Sequence, residues 1–100
     1  MIEIRHHILP GVGVIEIRGH AGAAEYGRDV ICAAVSAITV TLVERLRRED
    51  AETGNGKARI VYSRRARRER SDAEFALCGY RWIAEDYPEF VHYQEIRGDG

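Results

Sequence analysis

Hydrophobic and polar residues alternate along the first 18 positions of the chain, and this alternation predicts two β-strands. Ile2, Ile4 and Ile8 share one parity, and charged residues stand between them. This is the pattern of a strand with one buried face. A Pro-Gly pair at 10–11 is a turn signal, and a second alternating run follows at 12–18. The two strands are therefore expected to form a hairpin.

The alternation stops at 19–28, GHAGAAEYGR, and a long apolar segment follows. Glycines and mixed polarity predict a surface loop over 19–28, of the kind that often carries function. Asp29 is a favoured helix N-cap because its carboxylate accepts hydrogen bonds from the amides of the first turn. Residues 30–48 are apolar around most of the helical circumference, which predicts a centrally buried helix.

The second half of the chain predicts a strand, a helix and a final strand. A short strand is expected at 58–62 and a solvated basic run at 64–70. The sequence Ser71-Asp72-Ala73-Glu74 is a capping box that would open the second helix. Pro88 disfavours helical geometry at the residue before it, so the helix should end there. Residues 90–96 form the last predicted strand.

The element order β-β-α-β-α-β predicts an α+β fold in which two helices pack on one face of a mainly antiparallel β-sheet. The chain has 100 residues, 45% of them hydrophobic and 31% charged. These values are typical of a globular protein, and the length fits a single domain over 1–100.

Charge and cysteine content indicate in which cellular environment the protein is expected. A net charge of -1 argues against a general nucleic-acid binder, although local basic patches are compatible with it. The N-terminus lacks the apolar run of a signal peptide, and the apolar stretch at 30–43 is too short to span a bilayer. We therefore expect a cytoplasmic protein without membrane contact, in which Cys32 and Cys78 are both reduced.

Cys32 and His20 are the residues with the clearest chemical potential. Cys32 lies three residues after Asp29, near the start of the predicted helix, where backbone amides and the helix dipole favour the thiolate. An imidazole within reach would take the thiol proton and return it to a leaving group. A cysteine on an apolar helix is also often a small buried hydrophobe. From these residues alone, both interpretations stay open.

Several segments resemble the ribosomal-processing cysteine protease family. The signature block is similar in Gly19-His20-Ala21, in Glu25-Tyr26-Gly27 and in the segment 29–37, DVICAAVSA. The segment 83–91, IAEDYPEFV, resembles the closing helix-to-strand segment of the family. The resemblance covers nearly the whole chain.

This resemblance implies an endopeptidase that acts on a peptide or protein substrate, with His20 as base and Cys32 as nucleophile. Members of the family in certain bacteria remove a short N-terminal extension from the twenty-seventh large-subunit ribosomal protein. The resemblance also implies a homodimer. It implies a mobile loop that covers bound peptide, here Ala21 to Arg28, in which Gly22 and Gly27 supply flexibility.

Two further polar positions match the motif of the family, and each has a second interpretation. Asp29 could assist the reaction or act only as an N-cap. Ser36 lies one turn after Cys32 on the same helix face. Its hydroxyl could bond near the site or bond back to the helix carbonyl four residues earlier.

The basic run at 64–70 departs from the family pattern, where relatives often have a longer and more acidic stretch. It could contact an acidic or RNA-bound partner near the ribosome, or it could be a solvated loop; the composition favours the solvated loop. We expect no direct nucleic-acid contact. The histidines and cysteines lack the spacing of a zinc site, and no phosphate-binding loop occurs, so neither metal nor cofactor is expected.

Two other functions fit the same residues. The chain could be a non-catalytic ribosome-assembly or interaction module that uses the basic run as its contact surface. It could also be a relative of the family that processes another precursor, such as a phage structural protein.

Overall fold

A computed structural model of the chain describes residues 1–19, 26–47, 52–54 and 56–98, and for 26–29 and 52–54 it describes the backbone alone. The elements in chain order are β1 (Ile2–Leu9), β2 (Val12–Arg18), α1 (Tyr26–Leu46), β3 (Glu52–Gly54), β4 (Lys57–Ser63), α2 (Arg67–Asp86) and β5 (Val91–Arg97). The predicted order is confirmed, with the three-residue strand β3 as an addition.

The strands form one sheet in the order β3-β4-β2-β1-β5. β1 pairs antiparallel with β2, and β4 pairs antiparallel with both β2 and β3. β5 lies parallel to β1 at the other edge. The prediction of a mainly antiparallel sheet is therefore confirmed, and the sheet is mixed because of this single parallel pair.

Both helices cover the same face of the sheet, which is the face that the alternation in β1 and β2 predicts. The sheet contributes buried apolar side chains from four strands: Ile2, Ile4, Ile15, Ile17, Ile60, Tyr62 and Val91. The helices contribute Ile31, Val35, Leu42, Ala73, Ala76, Leu77, Tyr80 and Ile83. The two sets form one hydrophobic core, which fixes both helices on the sheet.

The prediction that α1 is buried on most of its circumference is wrong. The helix buries a single stripe of residues spaced three and four apart, namely Ile31, Val35, Thr39 and Leu42. The side chain of Val30 is 65% exposed and that of Val40 is 58% exposed. In the described part of the chain, no second layer of elements covers the outer side of α1. Over the described residues, neither helix is long and apolar enough to cross a membrane.

The predicted start of α1 is also wrong, because the helix begins at Tyr26 rather than at Asp29. Asp29 is the fourth residue of the helix, so it is not the N-cap. An acidic residue is favoured throughout the first turn as well as at the cap, because the helix dipole attracts it in either place. The sequence signal therefore could not fix the exact start.

α2 begins at Arg67, four residues before the predicted capping box. Its N-cap residue, Ala66, makes no side-chain capping bond. Ser63 orders the turn before the helix, since its Oγ accepts hydrogen bonds from the amides of Arg65 and Ala66 at 3.2 and 3.0 Å. Glu69 Oε1 accepts a bond from the Ser63 amide at 3.0 Å. These bonds tie the end of β4 to the first turn of α2, and the predicted capping box at 71–74 lies inside the helix. The helix ends at Asp86, as Pro88 predicts.

A histidine and a tyrosine form a polar pair inside the core. His6 is 7% exposed, and its Nε2 lies 2.7 Å from Tyr62 Oη. Gly13 stands opposite Tyr62 in the sheet, and a Cβ there would collide with the tyrosine ring, so this glycine makes the pair sterically feasible. His6 Nδ1 has no hydrogen-bond partner among the described residues. Protonation of His6 would therefore place a poorly compensated charge in the core.

Burial is the main cause that lowers the pKa of His6 below 6.5, Arg64 and Arg81 lower it further, and Glu95 opposes them. The unfolded chain then binds a proton at higher pH than the folded chain does. The free energy of unfolding should fall as the pH drops from 6.5 to the pKa of His6 in the folded chain, by at most about 1.4 kcal/mol per pH unit. Below that pKa it should level off. His6→Gln should remove this component from urea-unfolding curves measured between pH 7.5 and about pH 5.

His92→Gln is the control, because His92 is exposed. It should leave the pH dependence of the unfolding free energy as in the parent chain. An unchanged slope in His6→Gln would contradict the account of the buried pair.

Candidate active site

A surface pocket of about 270 Å³ lies between one flank of α1 and the ends of three strands. Its lining combines apolar residues with a few polar groups: Ile2, Ile17, Gly19, Cys32, Val35, Ser36, Thr39, Val40, Gly56, Lys57 and Ala58. We call this the Cys32 pocket. An apolar recess with a small number of polar groups is the usual form of a binding site.

Helix geometry explains why Cys32 reaches this pocket. Cys32, Ser36 and Val40 recur every four residues, so they form a line along α1 beside its buried stripe. The stripe faces the sheet, and the neighbouring line therefore faces the gap above the sheet edge. Cys32 is partly buried and packs against the core. The cysteine is thus held in place by its surroundings and still opens into the pocket.

The place of Cys32 within the helix differs from the prediction. Because α1 begins at Tyr26, Cys32 is its seventh residue and lies beyond the first turn. The effect of a helix dipole falls off within the first turn. The helix terminus is therefore a weaker source of thiolate stabilisation than the sequence suggested, and a neighbouring base becomes more important.

Gly19 forms the wall of the pocket at the end of β2. Its φ is +91°, and its amide donates a 2.9 Å hydrogen bond to the carbonyl oxygen of Gly56. A Cβ on Gly19 would collide with the backbone oxygen of Met1. Glycine is therefore required both by the backbone angle and by the close approach of the N-terminus. His20 is the next residue in the sequence.

A buried hydrogen-bond chain holds the middle of α1. Thr39 Oγ1 donates to the carbonyl oxygen of Val35 at 2.8 Å. It must then accept the 2.7 Å bond from the hydroxyl of Tyr80 on α2. Burial raises the pKa of Tyr80 to about 12, so this hydroxyl keeps its proton at physiological pH. The chain ties α2 to the stretch of α1 that lines the Cys32 pocket.

Two of the residues predicted for the site, Cys32 and Ser36, line the same pocket. Three lie outside the described part of the chain: His20, Ala21 and Gly22. Three more belong to the first turn of α1, and only their backbone is described: Gly27, Arg28 and Asp29. Residues 26–28, which the sequence predicts to be part of the loop 21–28, belong to α1 instead.

Several residues of the pocket wall were not predicted from the sequence. Val40 continues the line of Cys32 and Ser36, and Thr39 belongs to the adjacent buried stripe, so both could have been found from the helical spacing. Lys57 enters because it pairs with Arg18 across β2 and β4. That pairing depends on the sheet register and leaves no signal in the sequence near Cys32. The described residues contain no cluster of three or more His, Cys, Asp or Glu side chains that could hold a metal ion.

Comparison with protein families gives one match that covers most of the chain. The model of the family described as cysteine protease Prp matches residues 1–92. The chain belongs to the Prp family of cysteine proteases. Its reaction is therefore that of a cysteine protease. A comparison with curated proteins found no match.

Solved structures agree with the Prp assignment at the level of the fold. The structure of SMU.848 from Streptococcus mutans has a TM-score of 0.80 at 27% identity, covering 97% of this chain and 95% of that one. The essential ribosomal processing protease Prp from S. aureus, in complex with a covalently linked product peptide, has a TM-score of 0.81 at 23% identity. That match covers 95% of this chain and 99% of the other. A complex of the S. aureus protein with a substrate peptide has a TM-score of 0.75 at 21% identity, with the same coverage.

Gly19 offers a test of how the Prp fold builds this pocket. Gly19→Ala should lower the free energy of unfolding by about 2–4 kcal/mol, because both the positive φ and the Met1 carbonyl oppose a side chain. Gly11→Ala is the matched control. Gly11 also has a positive φ, +73°, but its nearest neighbour is the flexible Arg65 side chain at 2.9 Å.

We expect Gly11→Ala to lose only about 1–2 kcal/mol, the contribution of the backbone angle. Urea unfolding of both variants measures the difference. Equal losses of unfolding free energy in the two variants would mean that the Met1 carbonyl moves aside freely, so the wall formed by Gly19 would not be rigid.

Proposed function

We propose that the chain is an endopeptidase that removes the N-terminal extension from the precursor of the twenty-seventh large-subunit ribosomal protein. In this proposal Cys32 is the nucleophile and His20 the general base. Asp29 and Ser36 assist, and the segment from Ala21 to Arg28, with Gly22 and Gly27, covers the bound peptide.

One observation carries the proposal. Cys32 lines an open pocket together with Gly19, and Gly19 is bonded directly to His20 in the sequence. The required backbone geometry of Gly19 gives this wall a fixed form. Thiol catalysis needs a base close to the nucleophile, and the residue that follows this wall in the sequence is a histidine.

The reaction follows from these groups. The imidazole removes the proton from the Cys32 thiol, and the sulfur attacks the carbonyl carbon of the scissile peptide bond. The tetrahedral intermediate collapses when the imidazolium returns the proton to the leaving amine, which departs as the mature N-terminus. Water, activated by the same imidazole, then hydrolyses the thioester and releases the extension.

The lining of the Cys32 pocket suits a peptide. Ile2, Ile17 and Ala58 give it an apolar floor for a side chain next to the scissile bond. Ser36 and Lys57 supply polar groups at its edge, where a peptide backbone could be bound. The related S. aureus protein is described as a ribosomal processing protease, which supports the same class of substrate here.

The family assignment favours an enzyme over a non-catalytic assembly module. The cleavage assay below tests whether the substrate is the ribosomal precursor or another precursor. Ribosomal precursors are made in the cytoplasm, and we expect the enzyme to act there. A homodimer stays a prediction, and the exposed apolar side chains of Val40, Phe75 and Trp82 would gain from being covered by a second copy.

Cleavage of the purified host ribosomal precursor tests the reaction. Cys32→Ala and Cys32→Ser should each reduce the rate of processing by at least about a thousandfold, because the covalent step is lost. Mass spectrometry of the products gives the cleavage site and the rate. Cys78→Ser is the matched control, since Cys78 is exposed on α2 and should leave processing unchanged. Wild-type rates in either Cys32 variant would reject the proposed nucleophile.

Alkylation rates test the base. If exposure alone set the rate, exposed Cys78 would react with iodoacetamide faster than partly buried Cys32. The proposal predicts the reverse order at neutral pH, by about tenfold or more, because a thiolate reacts and a thiol does not. His20→Ala should remove the advantage of Cys32 and leave Cys78 unchanged. Peptide mass spectrometry resolves the two sites, and equal Cys32 rates with and without His20 would disprove the dyad.

A further inference from the structure

One end of the molecule collects arginines from four separate parts of the chain. They come from the end of α1, the turn after β4, the first turn of α2 and the end of β5: Arg45, Arg47, Arg64, Arg65, Arg67, Arg68, Arg70 and Arg97. We call this surface the basic end. The run at 64–70 and the pair Arg45 and Arg47 are separate clusters in the sequence, and the fold brings them together and adds Arg97.

Contacts between these elements place the arginines on one surface. Arg64 Nη1 donates a 2.6 Å hydrogen bond to the carbonyl oxygen of Leu9, at the hairpin between β1 and β2. Arg68 Nη2 donates to the carbonyl oxygen of Arg45 at 3.1 Å, which joins the start of α2 to the end of α1. Arg97 pairs with Ile8 at the same end of the sheet.

Nearby carboxylates compensate this charge only in part. Asp72 is shared by two arginines, Arg45 at 3.2 Å and Arg68 at 3.9 Å. Glu74 lies 4.0 Å from Arg70. Glu44 and Glu69 belong to the same ends of α1 and α2, so eight arginines face four carboxylates from these segments among the described residues. Cations in the first turn of α2 also oppose the helix dipole. The surface therefore carries an excess of positive charge that intramolecular contacts do not balance.

The net charge of the whole chain is only -1, so the basic end implies that the rest of the molecule is acidic. The charges are separated along the molecule. Arg45 lies 13 residues after Cys32 on α1, which corresponds to about 20 Å along the helix axis. A ligand on the basic end would therefore leave the Cys32 pocket open.

The chemistry of the basic end fits phosphate groups. Guanidinium groups bind phosphate oxygens through two parallel hydrogen bonds, which an ammonium group cannot do. The single lysine of the chain, Lys57, lies at the Cys32 pocket and away from this surface. The run 64–70 contains no apolar side chain larger than that of Ala66. Protein interfaces usually combine arginines with buried aromatic anchors at their centre, whereas a phosphate backbone needs only charge.

We propose that the basic end binds the phosphate backbone of RNA, in contrast to the expectation from the net charge that the protein makes no direct nucleic-acid contact. This inference does not rest on the proposed protease substrate. Because the total charge gives no long-range attraction, the interaction depends on direct contacts between the arginines and the phosphates.

Fluorescence anisotropy with a labelled single-stranded RNA of mixed sequence and about 20 nucleotides tests this, between about 50 and 200 mM KCl. The variant Arg65→Gln/Arg67→Gln/Arg70→Gln removes three exposed arginines of the basic end. It should weaken binding at least about tenfold and reduce the log–log salt slope by about two, since each single-strand phosphate contact contributes about 0.7.

A matched variant, Arg5→Gln/Arg59→Gln/Arg81→Gln, removes the same charge from other surfaces. It should change RNA affinity by no more than about twofold. Equal weakening in both variants would show a response to net charge alone and would overturn the proposal. Tighter binding of an acidic peptide with the same number of charges would indicate a protein partner and would also overturn it.

Urea unfolding establishes that both triple variants are folded. Cleavage of an isolated peptide substrate should stay unchanged in Arg65→Gln/Arg67→Gln/Arg70→Gln, because these residues are far from the Cys32 pocket. This readout separates failure of the RNA proposal from failure of the protease proposal.

Discussion

The burial of one stripe of α1 against the sheet is the interaction on which the proposed site depends. Ile31, Val35 and Leu42 leave water when α1 packs on the sheet, and each side chain contributes about 1.5–3 kcal/mol as an upper estimate. This packing fixes the rotation of the helix about its axis. Once the rotation is fixed, helical periodicity leaves Cys32 and Ser36 on the flank that faces the pocket.

The apolar core places α1 approximately, and polar groups fix its position more precisely. The hydroxyl chain from Tyr80 through Thr39 to the Val35 carbonyl holds α1 beside α2, one to two turns after Cys32. Its loss would leave buried polar groups unsatisfied, so small shifts of α1 along α2 are opposed. Gly19 fixes the opposite wall of the pocket through its backbone geometry. The site therefore combines a non-specific apolar force with a few specific polar and steric constraints.

Local sequence patterns predicted the strands and the layer architecture correctly, because alternation in β1 and β2 is a direct consequence of burying one sheet face. They missed the start of α2, where the Ser63 amide donates to Glu69 and the Ser63 hydroxyl accepts from the amides of Arg65 and Ala66. They also failed where the cause is not local. The position of Lys57 depends on the register between β2 and β4. Cys32 and Ser36 could be placed on one pocket from helical spacing, whereas the wall opposite them required the fold.

The fold, rather than any local sequence pattern, also separates the Cys32 pocket from the basic end. α1 runs from the Cys32 pocket to the basic end, and β1 and β2 connect the same two regions. A rigid helix and a paired hairpin hold the two surfaces at a constant separation, because neither element can shorten without breaking its hydrogen bonds. A peptide in the pocket and a polyanion at the basic end would therefore not compete for space. Where the peptide and the polyanion belong to one assembly, binding of one would hold the other near its own site and raise its local concentration without any change in the shape of the protein.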